Sequence, residues 1–443
     1  MPFEVLEKVL SVILSLMILG NFFLARVFVG TYLNPASLFS LFWFLYSFVP
    51  LVFLFDVPIN SLSILYILTC CFSFLLGMVF FDWKKALYLN RQKEDIFPGY
   101  LYSKENRYIF YCLFFVVMAL AVVDIKMQGF DISDFFFNYY ESANRFMRLR
   151  YEHDVIVNFF GQASVVLNYA LVMLGGVLAY CCKSGGKTIA ILALLPSLIM
   201  TASQGAKGTI LLSVFLFYGA ILLARVFAND LVITNKRTNR YLILFTIFLV
   251  VVMCISFVSR GLYEYSSIEA LMQKLIYYFN SYAFAHIYAF SDWFSYYVGA
   301  PHIMNYTDKH EIYFGFYTFM PIFEILGSSI TVPDGVYDEY FYFSDVFTTN
   351  IYTVFRGVIL DFRLIGSIVF WFILGLVAHL SYYFLLTKKM PIFSAPFFVV
   401  LFGFYYTSFI ISLFIWASIG ASLALLSLIL FVNKYKFLSG RQK

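Results

Sequence analysis

The side chains of this sequence that could do chemistry crowd into one stretch, residues 259–363. It opens with Ser259–Tyr265, passes through Asn280–Phe294 and closes with Thr349–Ser367, and it is rich in Tyr, Asp, His and Arg. One chemistry available here is proton transfer. His286 and His302 titrate near neutral pH and can take a proton from a sugar hydroxyl. Asp292 and Glu264 are carboxylate alternatives for the same role, and no spacing singles out one of the four. Tyr278, Tyr282 and His286 recur every four residues and would share a helical face. Their rings and hydroxyls suit the wall of a sugar-binding groove.

The second chemistry is anion binding. Arginine forks grip phosphate oxygens in pairs and do not lose their proton. Arg260 and Arg356 stand near the two ends of the stretch. Arg356 and Arg363 are two helical turns apart and share a face if the helix begins early enough. Asp361 lies between them and can pair with either. Asn350 and Tyr352 precede Arg356. Outside the stretch, Lys207 sits between Gly205 and Gly208 in a turn whose backbone amides and charge together suit an anion. Arg145, Arg148 and Arg150 lie in 127–157, which reads as a short amphipathic helix on the bilayer surface, in contact with membrane lipids. The set points to a pyrophosphate held at headgroup depth. The acidic run Asp334, Asp338 and Glu339 reads as an exposed loop, and no metal is expected. The six cysteines show neither a disulfide framework nor zinc spacing.

These residues need a scaffold, and composition identifies it. Of 443 residues 62% are hydrophobic and 12% charged, against about 25% charged in soluble domains. The expectation is an all-α polytopic integral membrane protein, a single membrane domain over 1–443. Spans need about 20 apolar residues. They fall at roughly 3–24, 36–55, 62–81, 108–126, 158–180, 187–203, 208–226, 241–258, 364–386, 392–411 and 414–432. That is about eleven transmembrane helices, within a range of about 10–13. A further helix near 270–298 is amphipathic and aromatic. Basic residues set the orientation. Lys84, Lys85, Arg91, Lys93, Lys104 and Arg107 place the loop 82–107 inside. Alternation then puts the N-terminus, the loop 127–157 and the long loop 259–363 outside, and the C-terminus inside. The first apolar stretch lacks a basic leader and a cleavage site, so it reads as a retained helix. The spans are nearly free of ionisable groups, His379 and Asp124 excepted, which argues against an ion-coupled pump. No inverted repeat of the transporter kind is visible.

The closing stretch Thr-Asn-Ile-Tyr-Thr-Val-Phe-Arg-Gly-Val-Ile-Leu-Asp-Phe-Arg-Leu-Ile-Gly-Ser (349–367) resembles a segment of bacterial O-antigen (Wzy-type) and related oligosaccharide repeat-unit polymerases. The many spans, the basic outer turn at 203–209 and the one long late loop are similar too. Lys207 stands where that family often has Arg. The resemblance implies a glycosyltransferase at the outer face of the bacterial inner membrane. It would move a glycan from undecaprenyl pyrophosphate to the sugar of another lipid-linked repeat unit, in O-antigen lipopolysaccharide or related surface polysaccharide synthesis. Lys207, Arg260 and Arg356 would hold pyrophosphate, with Asn350, Tyr352 and Asp361 nearby. No cofactor and no nucleic-acid partner is expected; the chain carries no nucleotide-binding fingerprint. A polysaccharide chain-length regulator is a partner implied by the resemblance. An O-antigen ligase shares donor and topology, and a lipid-linked oligosaccharide flippase is the transporter alternative.

Overall fold

The computed structural model describes residues 3–92, 100–101, 103–131, 156–182, 185–204, 207–234, 267–308, 312–327, 337–388 and 390–441, with isolated positions within 133–149 and 239–250. Helices α1 (Phe3–Val29), α2 (Pro35–Phe53), α3 (Ser61–Leu76) and α4 (Trp83–Arg91) come first. Next are α5 (Lys104–Met127), α6 (Phe159–Cys181), α7 (Gly186–Gln204) and α8 (Lys207–Phe227). α9 (Ile268–Phe279) passes through a π-helical turn (Asn280–Phe284) into α10 (Ala285–Tyr297). After α11 (Phe316–Ile325) comes a hairpin of β1 (Phe341–Phe343) and β2 (Phe347–Thr349), paired antiparallel with Tyr342 opposite Thr348. α12 (Thr353–Thr387), α13 (Ser394–Thr407) and α14 (Ala417–Arg441) follow.

Eight helices among the described residues, α1, α2, α5 to α8, α12 and α14, are long and apolar enough to cross a membrane. Each coincides with an expected span. α3 and α13 occupy two more but have only 16 and 14 residues. At 1.5 Å per residue they are shorter than the roughly 30 Å hydrocarbon layer. The span expected at 241–258 falls almost wholly outside the described residues. Helix starts follow local chemistry. Asn34, Asn60, Ser103 and Asn158 each cap a helix by accepting a backbone N–H from its first turn.

The chain forms two compact units. The first comprises Met1–Leu87, Glu269–Tyr383 and Phe404–Ala417. Its core is aromatic. Trp43 and Trp371 lie 4.5 and 5.1 Å from the Phe355 ring, and Phe39 stacks on Trp371 at 5.1 Å. α3 and α12 approach backbone to backbone because Gly77 and Gly375 carry no side chain. A Cβ on Gly375 would stand 2.1 Å from the Phe74 carbonyl oxygen. Small residues at such crossings let helices in lipid gain dispersion contacts. α10 is buried along Ala285–Ser295 and packs against α2 and α3. The helix expected near 270–298 is thus present, but its second half is enclosed and not amphipathic, and the hairpin adds two strands to a fold expected to be all-α.

The second unit comprises Tyr88–Ile268, Phe384–Gly403 and Ser418–Lys443. α6 packs on α5, α7 and α8, and its run Asn168–Leu178 is buried without a break, as befits a helix covered all round. Gly175 faces Ala193 and Gly176 faces the Phe217 carbonyl, both too close to admit a Cβ. A buried polar link ties three helices: the Ser197 hydroxyl is 3.0 Å from Asn168 Oδ1 and 2.8 Å from the Ser213 hydroxyl.

Candidate functional site

α10 ends in a turn that sets up the site. Gly299 takes φ 75°, its N–H bonds the Tyr296 carbonyl, and the Ala300 N–H bonds the Ser295 carbonyl. These are the two bonds of a glycine-terminated helix end. The chain then doubles back along α10, where Asp292 fixes it. Its carboxylate accepts from the N–H groups of Ile303 (2.7 Å) and Met304 (3.1 Å) and from the Tyr306 hydroxyl (2.8 Å). Both oxygens are thus occupied in holding the return strand, so Asp292 is a strut and not the proton acceptor the sequence allowed.

The strut delivers Tyr306 and Asp308 to Arg356, in the first turn of α12. Arg356 is fully buried, at 0% exposure. Its Nη2 donates to Asp308 Oδ2 at 2.8 Å and to Glu339 Oε2 at 2.7 Å. Asp308 Oδ2 also accepts from the Trp293 indole N–H at 2.5 Å. Four rings surround the guanidinium: Tyr337 at 4.1 Å, Tyr352 at 4.3 Å, Trp293 at 5.2 Å and Tyr306 at 5.6 Å. Among the described residues Nε and Nη1 make no hydrogen bond; the ring faces supply their electrostatic partner. A cation near a helix N-terminus opposes the helix dipole, whereas anions there are favoured. The two carboxylates answer both demands.

Burial shapes the tyrosines. It pushes the Tyr352 hydroxyl up to about 12 despite the opposing pull of Arg356. It raises Tyr306 too, helped by Tyr352 and the Asp292 carboxylate, and raises Tyr337 against Arg356. All three therefore stay protonated near neutral pH. They can donate hydrogen bonds and stack, but they are not bases.

Several sequence expectations change. Asp361 does not pair with Arg356. It accepts from the Tyr317 N–H (2.9 Å) and the Thr318 hydroxyl (2.6 Å), which fastens α11 to α12. Arg356 and Arg363 do not share a face. The backbone at Arg363 takes φ 58°, ψ −178°, which breaks the helical register and leaves Arg363 exposed while Arg356 is buried. Thr353, at the head of the same helix, also has positive φ, 69°. Such conformations cost of order 1–3 kcal/mol each. Nor does Arg356 present its fork to a phosphate, since carboxylates already hold it.

The four-residue spacing of Tyr278, Tyr282 and His286 is interrupted by the π turn. Tyr282 is half-buried, whereas His286 is buried with Nε2 2.9 Å from the Tyr46 carbonyl, so it serves as a packing residue between α10 and α2. His302 is exposed, with Nδ1 3.0 Å from the Ala300 carbonyl and its ring edge-on to Tyr296. Asn350 is half-buried between β2 and α12. Lys207 is half-buried at the head of α8 in the second unit. Arg145 and Arg148 are exposed, while Phe146 and Leu149 pack with Ile125 and Phe130, the two-faced pattern expected there. Arg150, Arg260, Glu264 and Asp334 lie outside the described residues.

Sequence reasoning missed Asp308 and read Glu339 as part of an exposed loop, whereas Glu339 is half-buried and paired with Arg356. A signal was present: each acid stands two residues after a tyrosine, Tyr306 and Tyr337. In an extended chain such pairs point the same way.

No protein-family model matches this chain, and no curated protein and no solved structure does.

Proposed function

We propose that this chain is a membrane-embedded glycosyltransferase that polymerises lipid-linked oligosaccharide repeat units, of the O-antigen polymerase kind. In this reading it lies in a bacterial inner membrane, with its N-terminus and the stretch 259–363 on the outer side and its C-terminus in the cytoplasm. The donor is a glycan on undecaprenyl pyrophosphate and the acceptor is the sugar of a second lipid-linked unit. The observation that carries the reading is the Arg356 cluster. An otherwise apolar chain concentrates Asp308, Glu339 and four aromatic rings at the head of one long apolar helix. The two carboxylates keep part of their surface and suit sugar hydroxyls, with Arg356 and the rings packed behind them. Lys207, at a helix N-terminus where anions are favoured, is the candidate contact of the second unit for a phosphate.

The test is a lipopolysaccharide gel ladder from a deletion strain, with and without the wild-type gene. A deletion that leaves a single repeat unit, with the ladder restored by the gene, supports the reading. A deletion that removes even the single-unit band favours a ligase or flippase. An unchanged ladder overturns it.

A further inference from the structure

Within the cluster the charges are not equally accessible. The Arg356 side chain is 0% exposed, whereas the side chains of Asp308 and Glu339 keep 18% and 22% of their surface. What reaches the surface of the cluster is carboxylate, with the cation sealed behind it. Both acids spend one oxygen on the same nitrogen, Arg356 Nη2. Asp308 Oδ2 is pinned a second time by Trp293. Asp308 Oδ1 and Glu339 Oε1 accept no bond from the described residues. The neighbouring tyrosines stay protonated, His286 is buried against Tyr46, and Asp292 is fully occupied.

Resting on the glycosyl-transfer reading, we propose that Asp308 is the catalytic base that activates the acceptor sugar. Its Oδ2 is clamped by Arg356 and Trp293, and its Oδ1 receives the proton of the acceptor hydroxyl. As that proton leaves, the hydroxyl oxygen bonds to the anomeric carbon of the donor. The bond from that carbon to the pyrophosphate oxygen breaks, and its electron pair departs with the polyprenyl pyrophosphate. Glu339 Oε1 accepts a hydrogen bond from a neighbouring hydroxyl of the same sugar. Arg356 is a positioning residue: it fixes both carboxylates. The acceptor class this favours is a sugar offering two adjacent hydroxyls.

The experiment uses the full chain, purified and returned to liposomes, with lipid-linked oligosaccharide extracted from the deletion strain as substrate. Elongation is followed on gels at several pH values. Asp308→Asn, which keeps the shape, is expected to lower kcat about 10²–10⁴-fold, the range general-base catalysis supplies, with KM within about threefold. Its residual rate should lose the acid limb that wild type shows. Asp308→Glu should retain measurable activity with that limb displaced, and it decides the matter if the Asn variant fails to fold. Glu339→Gln should raise KM more than it lowers kcat. Wild type active with Asp308→Asn within threefold of it, or with the acid limb intact, overturns the assignment alone. No elongation by wild type overturns the glycosyl-transfer reading and the assignment together.

Discussion

The Arg356 guanidinium carbon lies 4.1 Å from the centre of the Tyr337 ring, and Tyr317 runs parallel to that ring at 6.0 Å. The Tyr337 hydroxyl, buried at the same place, has no hydrogen-bond partner among the described residues. The ring, and not the hydroxyl, is what the arginine uses. Tyr337→Phe should therefore leave thermal stability nearly unchanged, because it removes an unsatisfied polar atom. Tyr337→Leu should cost about 1–2 kcal/mol through the lost cation–π contact. Melting followed by gel filtration in detergent separates the two.

Arg356→Ala strands two partly buried carboxylates. Breaking a buried ion pair by removing one partner costs about 3–5 kcal/mol. We expect a large fall in melting temperature, and partial recovery when Asp308→Asn and Glu339→Gln are added. A triple variant no more stable than Arg356→Ala would show that the arginine acts through its packing alone.

Gly375→Ala places a methyl group 2.1 Å from the Phe74 carbonyl oxygen. Backbone cannot move aside as a side chain can, so α3 and α12 must separate. The expected penalty exceeds the 1–3 kcal/mol usual for overpacking. Gly420→Ala, with open space around the added Cβ, is the matched control and should be close to neutral in the same assay.

Tyr352 gives an alkaline prediction. Its folded pKa, about 12, stands above the ordinary 10.0. A raised acid contributes stability that is complete below pH 10 and is lost as pH climbs through 12, because the unfolded chain releases the proton first. Tyr352→Phe should flatten that part of the alkaline loss. Melting curves between pH 9 and 12 test it.

At Arg363 the backbone is held where glycine is at ease. Arg363→Gly should stabilise the protein by about 1 kcal/mol, the lower end of the strain that such a conformation stores. A lower melting temperature would mean that the side chain's own interactions outweigh the strain.

Much of the scaffold was legible in the sequence because apolar runs of about 20 residues have one physical use. The helix expected near 270–298 is there as α9 and α10. Arg356 was legible as a chemical residue, since an arginine between apolar segments stands out. Its partners were not, because Asp308 and Glu339 lie 48 and 17 residues away in sequence. Only the helix end at Gly299 and the Asp292 strut bring the first of them back. Two local irregularities defeated arguments from periodicity. The π turn interrupts the spacing that linked Tyr282 with His286, and the backbone at Arg363 cancels the seven-residue relation to Arg356. Regular spacing predicts a shared face only while the helix stays regular.

The π turn has one more consequence. Its Ser281 hydroxyl accepts the Thr348 N–H at 3.1 Å, so the hairpin leading into α12 is seated on it. Upstream of the turn α9 has no buried residues, and downstream α10 is almost wholly enclosed. The turn works as a phase shifter between an exposed helix and an enclosed one. Deleting one residue within Asn280–Phe284 would restore an ordinary helix and rotate α10 by about 100° against α2 and α3. His286 would swing away from the Tyr46 carbonyl, and Asp308, tied to α10 through Trp293, from Arg356, without any residue of the cluster having been changed.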